Sequence, residues 1–126
     1  MDKPQQYQLH SVIPILRMFD VEKTQQFYLH YLEFELDWEH RYEDNFPLYM
    51  QISNGSCVLH LSEHHGDCCP GAAVRIETKH IEALYARLSA KQYKYMKPGL
   101  ETAPWGGKEI TVLDPAGNRL TFYEHE

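Results

Sequence analysis

Two hydrophobic patterns alternate along the chain and predict its secondary structure. Runs in which apolar and polar residues alternate one by one predict strands, because successive side chains of a strand point to opposite faces of a sheet. Apolar residues at helical spacing over residues 21–32 and 80–90 predict two amphipathic helices, and Asp20 is the expected N-cap of the first. The predicted strands cover residues 11–18, 34–40, 47–53, 57–63, 72–78, 108–113 and 119–124, with a shorter strand at 93–96.

The order of these elements is repeated, because each half of the chain reads strand, helix, strand, strand, strand. Asn54-Gly55 predicts a tight hairpin inside the first half, and residues 114–118 predict a turn inside the second. We therefore expect an α+β fold in which two βαβββ modules, residues 9–63 and 72–126, form a curved sheet with helices on the outer side. The length of the chain suits a single domain over residues 1–126.

Alternation within the strands also predicts which side chains face away from the helices. In residues 57–63, Leu59 and Leu61 are the apolar pair, so His60 points to the opposite, open face. A sheet face that combines aromatic, polar and charged groups is typical of a ligand cleft, although a solvated face or a dimer interface shows the same alternation. The same rule places Arg75, Glu109, Thr121 and Tyr123 on the open face.

The composition is that of a soluble globular domain, with 43% hydrophobic and 24% charged residues. The formal net charge of -6 argues against a nucleic-acid partner and favours a cationic ligand. The first ten residues lack the apolar core of a signal peptide, and no run reaches the ~20 apolar residues of a membrane span. Three cysteines, two of them adjacent, do not make a disulfide framework, so we expect a cytoplasmic protein.

A histidine- and cysteine-rich stretch, LHLSEHHGDCCP at residues 59–70, raises the question of a metal site. It contains neither the Cys-x-x-Cys nor the His-x-x-x-His spacing that places two ligands on one side of a chain. We therefore expect a solvated turn between the two modules. Loop residues can still wrap an ion, so a loop metal site remains the alternative for His64, His65, Asp67, Cys68 and Cys69.

Trp105 lies in a loop between Pro104 and two glycines, Gly106 and Gly107. An aromatic ring in this position suits a rigid plate for a planar ligand, and the glycines would let ligand and backbone approach closely. The alternative is that Trp105 covers the edge of a sheet or packs across a subunit interface.

A second group of aromatic residues surrounds the second and third strands. Acidic residues interleave with the rings, and aromatic faces beside carboxylates suit a flat cation. The alternative is a solvated hairpin with two or three of the rings in the core. The aromatic residues are Trp38, Tyr42, Phe46 and Tyr49, and the acidic ones are Asp37, Glu39, Glu43 and Asp44.

Three motifs together resemble one protein family. They are IPILRMFDVEKTQQFY at residues 13–28, TAPWGG at 102–107 and LDPAGNRLTF at 113–122. In this order they resemble the bleomycin resistance branch of the glyoxalase/bleomycin resistance/dioxygenase superfamily, also called vicinal oxygen chelate, over residues 9–124. The chain departs from the family pattern in residues 38–48 and in a segment after Trp105 that is one residue longer than in some relatives.

The resemblance implies where a metal would lie in an enzyme of this superfamily. The four inward positions that carry His or Glu in such enzymes match Ile13, His60, Ala73 and Thr121. Zinc, nickel or iron needs at least three donor side chains, and here only His60 is a good donor. We therefore expect no metal, no other cofactor and no catalytic residues.

The function implied by the resemblance is non-catalytic binding of a bleomycin-type glycopeptide antibiotic, in clefts between the two subunits of a homodimer. A metal-dependent lyase, isomerase or dioxygenase of the same superfamily is the alternative, as is a binder of another small metabolite. Residues 1–10 would lie free or cross to the partner subunit. The predicted ligand-binding residues are Trp38, Tyr49, His60, Arg75, Trp105, Gly106, Gly107, Glu109, Thr121 and Tyr123.

Overall fold

The computed structural model describes residues 6–91, 93 and 97–126. This part of the chain forms two consecutive βαβββ modules, which confirms the predicted α+β fold. The first module contains β1 (Ile15–Arg17), α1 (Val21–Gln25), β2 (Glu35–His40), β3 (Tyr49–Asn54) and β4 (Cys57–Ser62). The second contains β5 (Ala73–Glu77), α2 (Ile81–Ala90), β6 (Glu101–Thr102), β7 (Lys108–Leu113) and β8 (Arg119–Glu124).

Each module builds its own mixed sheet of four strands, so the curved sheet is divided into two. The strand orders are β1-β4-β3-β2 and β5-β8-β7-β6. The first strand of each module runs parallel to the last, whereas the other neighbours are antiparallel. A parallel pair needs a long crossover, and the helix and the two middle strands of each module supply it.

The first helix begins as predicted and changes its winding after five residues. The Asp20 side chain accepts a hydrogen bond from the Lys23 amide at 3.0 Å, as expected of an N-cap. From Gln26–Tyr31 the chain continues as a π-helix, in which each backbone hydrogen bond spans one more residue than in an α-helix. Phe27 and Tyr28 are both fully buried although they are neighbours in sequence.

One hydrophobic core is shared by the two modules. Predicted apolar pairs such as Leu59 and Leu61 are buried in it, together with helix residues of both modules. Burying a side chain of this size contributes roughly 1.5–3 kcal/mol to stability. The helix-covered sides of both sheets therefore meet inside the molecule, and their other faces are left open.

The predicted turn at residues 114–118 is a buried link between the modules. The Tyr28 hydroxyl donates to Asp114 Oδ2 at 2.7 Å, and Asn118 Nδ2 donates to the Arg17 carbonyl at 2.8 Å. The Ala72 amide donates to Asn118 Oδ1 at 3.1 Å. The turn thus holds together the first strands of both modules and α1 with its π-helical continuation.

The predicted and observed strands differ most at three places in the chain. The first is confined to β1, because Pro14 has no amide hydrogen with which to extend the ladder, although its carbonyl still accepts from the His60 amide at 3.0 Å. The short β6 lies within residues 97–107, where a loop was expected. The predicted strand at 93–96 lies outside the described residues except for Tyr93, which is not in a strand.

None of the helices in the described ranges is long and apolar enough to span a membrane.

Candidate binding site on the open sheet faces

The structure places the predicted ligand-binding residues in two groups on the open faces of the two sheets. Trp38, Tyr49 and His60 lie together on the first sheet. Within residues 6–91, 93 and 97–126, no hydrogen bond, ion pair or ring contact joins the two groups. The group on the second sheet contains Arg75, Trp105, Glu109, Thr121 and Tyr123.

His60 is the centre of the first group. The Tyr49 hydroxyl lies 2.6 Å from His60 Nδ1, and Gln51 Oε1 lies 2.9 Å from His60 Nε2. The Trp38 ring packs edge-on to His60 with a centroid distance of 5.4 Å, and it is nearly parallel to Tyr49 at 6.0 Å. Trp38 keeps 44% of its surface exposed, so this aromatic group is accessible from solvent.

The hydrogen bonds around His60 have a direction, which the carboxylate of Asp37 sets. A carboxylate only accepts, so Gln51 must turn its amide nitrogen to Asp37 Oδ2, at 3.1 Å, and its oxygen to His60. His60 then donates from Nε2 to Gln51, and Nδ1 accepts from the Tyr49 hydroxyl. We call this chain of hydrogen bonds from Tyr49 to Asp37 the His60 relay. It leaves neither nitrogen of His60 free.

Burial lowers the pKa of His60, which favours the neutral ring that this relay requires. Burial also raises the pKa of Tyr49, and the negative charge of Asp67 raises it further. Both groups are therefore held in their uncharged forms, so the pair is suited to hydrogen bonding.

The residues around His60 do not fit a metal ion. In the parallel strand pairs, Ile15 lies beside His60 and Arg75 lies beside Thr121. The expected inward positions Ile13 and Ala73 are each two residues away from these neighbours. Neither Ile15 nor Arg75 can donate an electron pair to a metal. In the part of the chain that the structure describes, no three His, Cys, Asp or Glu side chains converge as a metal would require.

The loop at residues 64–70 is held by hydrogen bonds to Ser62 and Arg17. Ser62 Oγ donates to Asp67 Oδ2 at 2.6 Å and accepts from the His64 amide at 2.9 Å. Arg17 Nη1 donates to the His64 carbonyl at 2.5 Å. His65 and Cys69 point into solvent. The loop is therefore the expected turn.

Arg75 is the centre of the second group. Its guanidinium forms an ion pair with Glu109 at 2.9 Å and lies over two rings, 4.7 Å from the centroid of Tyr123 and 5.9 Å from that of Trp105. Trp105 is 69% exposed, so one face of its indole is available to a ligand. Thr121 is buried beside Thr111, with 3.2 Å between the hydroxyl oxygens, and offers little surface.

The two glycines after Trp105 have a structural role that the sequence did not indicate. Gly106 and Gly107 adopt φ angles of +88° and +83°, which other residues rarely adopt. A Cβ on Gly107 would lie 2.7 Å from the carbonyl oxygen of Glu124, and one on Gly106 would lie 2.8 Å from the Glu126 side chain. Close approach of the β8 backbone therefore explains Gly107, whereas at Gly106 the positive φ is the main constraint because the Glu126 side chain can move. Contact of both glycines with a ligand stays a prediction.

An irregularity in β2 brings two neighbouring residues to the same face. The ladder with β3 shifts register between Leu36 and Trp38. Through this bulge, Asp37 reaches the side chains of Gln51 and Ser53, while Trp38 contacts the His60 ring. Strict alternation would have put Asp37 and Trp38 on opposite faces. Gln51 was missed as a site residue, although its spacing of two from Tyr49 places it on the open face.

A pocket opens at the edge of the first group and has a volume of about 380 Å³. It lies within the size range of small-molecule sites, roughly 300–1,000 Å³. Four residues outside the predicted ligand-binding set contribute to it, because the 40–42 segment and the 64–70 loop meet here in space. The lining residues are Trp38, His40, Tyr42, Tyr49, His64 and Asp67.

Comparison with known proteins gives one family. A family model described as glyoxalase superfamily protein matches residues 4–126, nearly the whole chain. A search of curated proteins found no significant match.

Solved structures with the same fold include antibiotic-binding proteins. TnmS3, an antibiotic binding protein from Streptomyces sp. CB03234, has a TM-score of 0.74 and 19% identity, covering 97% of this chain and 100% of that chain. A bleomycin-binding protein from Streptomyces verticillus, in complex with copper(II)-bleomycin, has a TM-score of 0.71 and 24% identity, covering 96% and 100%. A bleomycin resistance determinant encoded on the transposon Tn5 has a TM-score of 0.72 and 19% identity, covering 94% and 99%.

Proposed function

Because the chain belongs to the glyoxalase superfamily, we propose that it binds and sequesters a bleomycin-type glycopeptide antibiotic and does not transform it. The observation that carries the proposal is the pair of exposed tryptophans, Trp38 on the first sheet and Trp105 at the edge of the second. Trp38 forms a contiguous aromatic patch with Tyr42 and Tyr49, and such patches are typical of interaction surfaces. Several proteins with this fold bind bleomycin or another antibiotic.

The surroundings of Trp38 suit a flat ligand that carries positive charge. Both indoles are accessible, and Asp37 is the neighbour of Trp38 in β2. At Trp105, by contrast, Glu109 is paired with Arg75, whose guanidinium lies over the indole ring. An aromatic face attracts a cation, and the net charge of -6 acts in the same direction over longer distances. Capture is favoured over catalysis because His60, the one good donor at the inward positions, has both ring nitrogens engaged.

A second copy of the chain would complete the cleft. The two aromatic groups lie on different sheets, so the first sheet of one subunit can face the second sheet of its partner in a two-fold symmetric dimer. Such a dimer has two identical clefts, each with one Trp38 and one Trp105 from different subunits.

Substitution of the tryptophans tests both the ligand and the dimer. We expect Trp105→Ala and Trp38→Ala each to weaken bleomycin binding by about 2 kcal/mol or more, since buried aromatic anchors carry this much of an interface. Titration calorimetry measures the loss, and Trp105→Phe should retain part of the affinity. Because Trp105 is exposed in the free chain, its replacement should leave the thermal unfolding midpoint nearly unchanged.

Mixing the two alanine variants distinguishes a cleft between subunits from a cleft within one chain. After exchange of subunits, a shared cleft predicts that about one quarter of the clefts regain both tryptophans and bind tightly. A cleft built by one chain predicts no recovery. Absence of any saturable bleomycin binding by the wild-type protein would refute the proposed function itself.

A further inference from the structure

The pocket beside the first aromatic group has aromatic walls at right angles to one another. The Tyr42 ring is nearly perpendicular to both His40 and His64, with centroid distances of 4.8 and 6.1 Å. Trp38 and Tyr49 lie nearly parallel to each other as a further wall. Rings that surround a small space from several directions resemble the aromatic cages that hold organic cations.

A carboxylate lies at the same pocket. The Asp67 side chain is fixed by the hydrogen bond from Ser62 Oγ, and among the described residues it forms no ion pair. The nearby guanidinium of Arg17 instead donates to the His64 carbonyl and lies 5.1 Å from the centroid of Phe19. The charge of Asp67 also acts on the Tyr49 hydroxyl, since it contributes to the raised pKa of Tyr49 after burial. The Asp67 carboxylate is therefore available to balance the charge of a cation in this pocket.

The His60 relay adds a specific acceptor to this pocket. The Tyr49 hydroxyl donates its single hydrogen to His60 Nδ1, so toward a ligand its oxygen can only accept a hydrogen bond. Donation to His60 also increases the electron density on that oxygen. A ligand group with an N–H is thus preferred at Tyr49 over a group that only accepts.

We infer that this pocket, the cation cage, binds an alkylammonium ion that retains at least one N–H. The aromatic walls attract the alkylated cation, Asp67 balances its charge, and the Tyr49 oxygen accepts the N–H. Asp37 and Gln51 are positioning residues, since they act on the ligand through His60 and Tyr49. The inference rests on the proposed function only in that the cage would take the cationic end of the sequestered antibiotic.

Three probes of nearly equal shape separate the contributions of charge and N–H. N,N-dimethylethanolammonium carries both, choline carries the charge without an N–H, and 3,3-dimethyl-1-butanol carries neither. In NMR titrations of the full chain, choline should bind roughly threefold or more tightly than the neutral alcohol. N,N-dimethylethanolammonium should bind more tightly than choline. Equal affinities for all three probes, or no binding of the first, would overturn the inference.

Variants of the pocket residues test where the probes bind. Asp67→Asn keeps an acceptor for Ser62 but removes the charge, so it should reduce the preference for choline over the alcohol to what the aromatic walls alone supply. Glu22→Gln, on an exposed helix position, is the charge control. Tyr42→Leu removes an exposed wall and should weaken both cations, with Tyr7→Leu as the control for an equally exposed tyrosine. Wild-type affinities in both pocket variants would sink the proposal.

Tyr49→Phe and Asp37→Asn test the relay. Loss of the Tyr49 hydroxyl should erase the difference between N,N-dimethylethanolammonium and choline. Asp37→Asn no longer fixes the orientation of Gln51, so ¹⁵N spectra should show His60 losing its single tautomer, and the same difference should shrink. A wild-type His60 with its proton on Nδ1, or an unchanged preference in both variants, would contradict the relay.

Bleomycin added to the same samples distinguishes failure of this inference from failure of the proposed function. Competition between N,N-dimethylethanolammonium and bleomycin supports both. Bleomycin binding that the ammonium probe does not affect overturns the inference and leaves the proposed function standing. Binding of the ammonium probe without binding of bleomycin refutes the proposed function and leaves the inference about the cation cage standing.

Discussion

The chemistry available to His60 depends on the side chains that contact its ring. Sequence alternation placed this histidine on the open face, where a metal ligand or a catalytic base could lie. The structure adds Tyr49 and Gln51 at its two nitrogens, and Asp37 behind Gln51 sets the direction of the hydrogen bonds. Because both nitrogens are engaged, the His60 ring is held in one orientation on the open face of the first sheet.

The lowered pKa of His60 makes stability depend on pH. Its folded-state pKa lies below the ordinary value near 6.5 because burial disfavours the charged ring. As the pH falls below about 6.5, the unfolded chain takes up this proton first, so the folded state loses stability. We therefore expect the free energy of unfolding of the wild type to fall relative to His60→Gln between about pH 7 and pH 5. Urea denaturation of both proteins at each pH measures this difference, and a difference that stays constant from pH 7 to pH 5 would contradict the prediction.

Gly107 is expected to be needed for folding more than for ligand contact. Gly107→Ala forces an alanine to a φ of +83° and places its Cβ 2.7 Å from the Glu124 carbonyl oxygen. We expect a loss of about 3 kcal/mol in the free energy of unfolding, from the combined strain and clash. Gly117→Ala is the matched control, because its φ is +88° with nothing within 4 Å, and should cost only about 1 kcal/mol. Equal losses in the two variants would mean that the close approach to Glu124 is unimportant.

At the scale of elements, periodicity and turn residues predicted most of the fold. Strands β7 and β8 have the predicted bounds, and the Asn54-Gly55 hairpin joins β3 and β4 with Gly55 at a φ of +61°. These elements follow local rules, since alternation fixes the buried face of a strand and a tight turn requires particular residues. Their prediction needs no knowledge of distant residues.

The elements that were missed depend on contacts between distant residues. The π-helix carries Phe27 and Tyr28, which are buried in the core that the two modules share. The bulge in β2 appears only when β2 is paired with β3. The candidate site shows the same division. Alternation predicted that Arg75 and Glu109 lie on the open face of the sheet, whereas their ion pair and the cation cage depend on how strands and loops meet in space.

Asn118 joins elements that are distant in sequence. Its side chain donates to the Arg17 carbonyl and to Asp114, and accepts from the Ala72 amide. Asn118→Ala leaves these buried groups without partners, and we expect it to lower the free energy of unfolding by about 3 kcal/mol or more. Chemical denaturation measures the loss, with the exposed Asn45→Ala as a control that should change little. A loss below about 1 kcal/mol would show that the link contributes little to stability.

At the scale of the whole molecule, the shared core and the open faces explain how one chain would capture a ligand. The helix sides of both sheets are used to join the modules, so each sheet keeps one face with an exposed tryptophan. The faces differ in charge: the first has the Asp67 carboxylate beside its rings, and the second holds an arginine between two rings. A dimer that pairs unlike faces would enclose a ligand between two different walls.

The most direct test of capture without turnover is a calorimetric titration of the purified protein with bleomycin, followed by mass spectrometry of the released ligand. The account predicts saturable binding of one bleomycin per protomer, and recovery of the ligand with its mass unchanged after prolonged incubation. A titration without saturation, or a recovered ligand of altered mass, would contradict it.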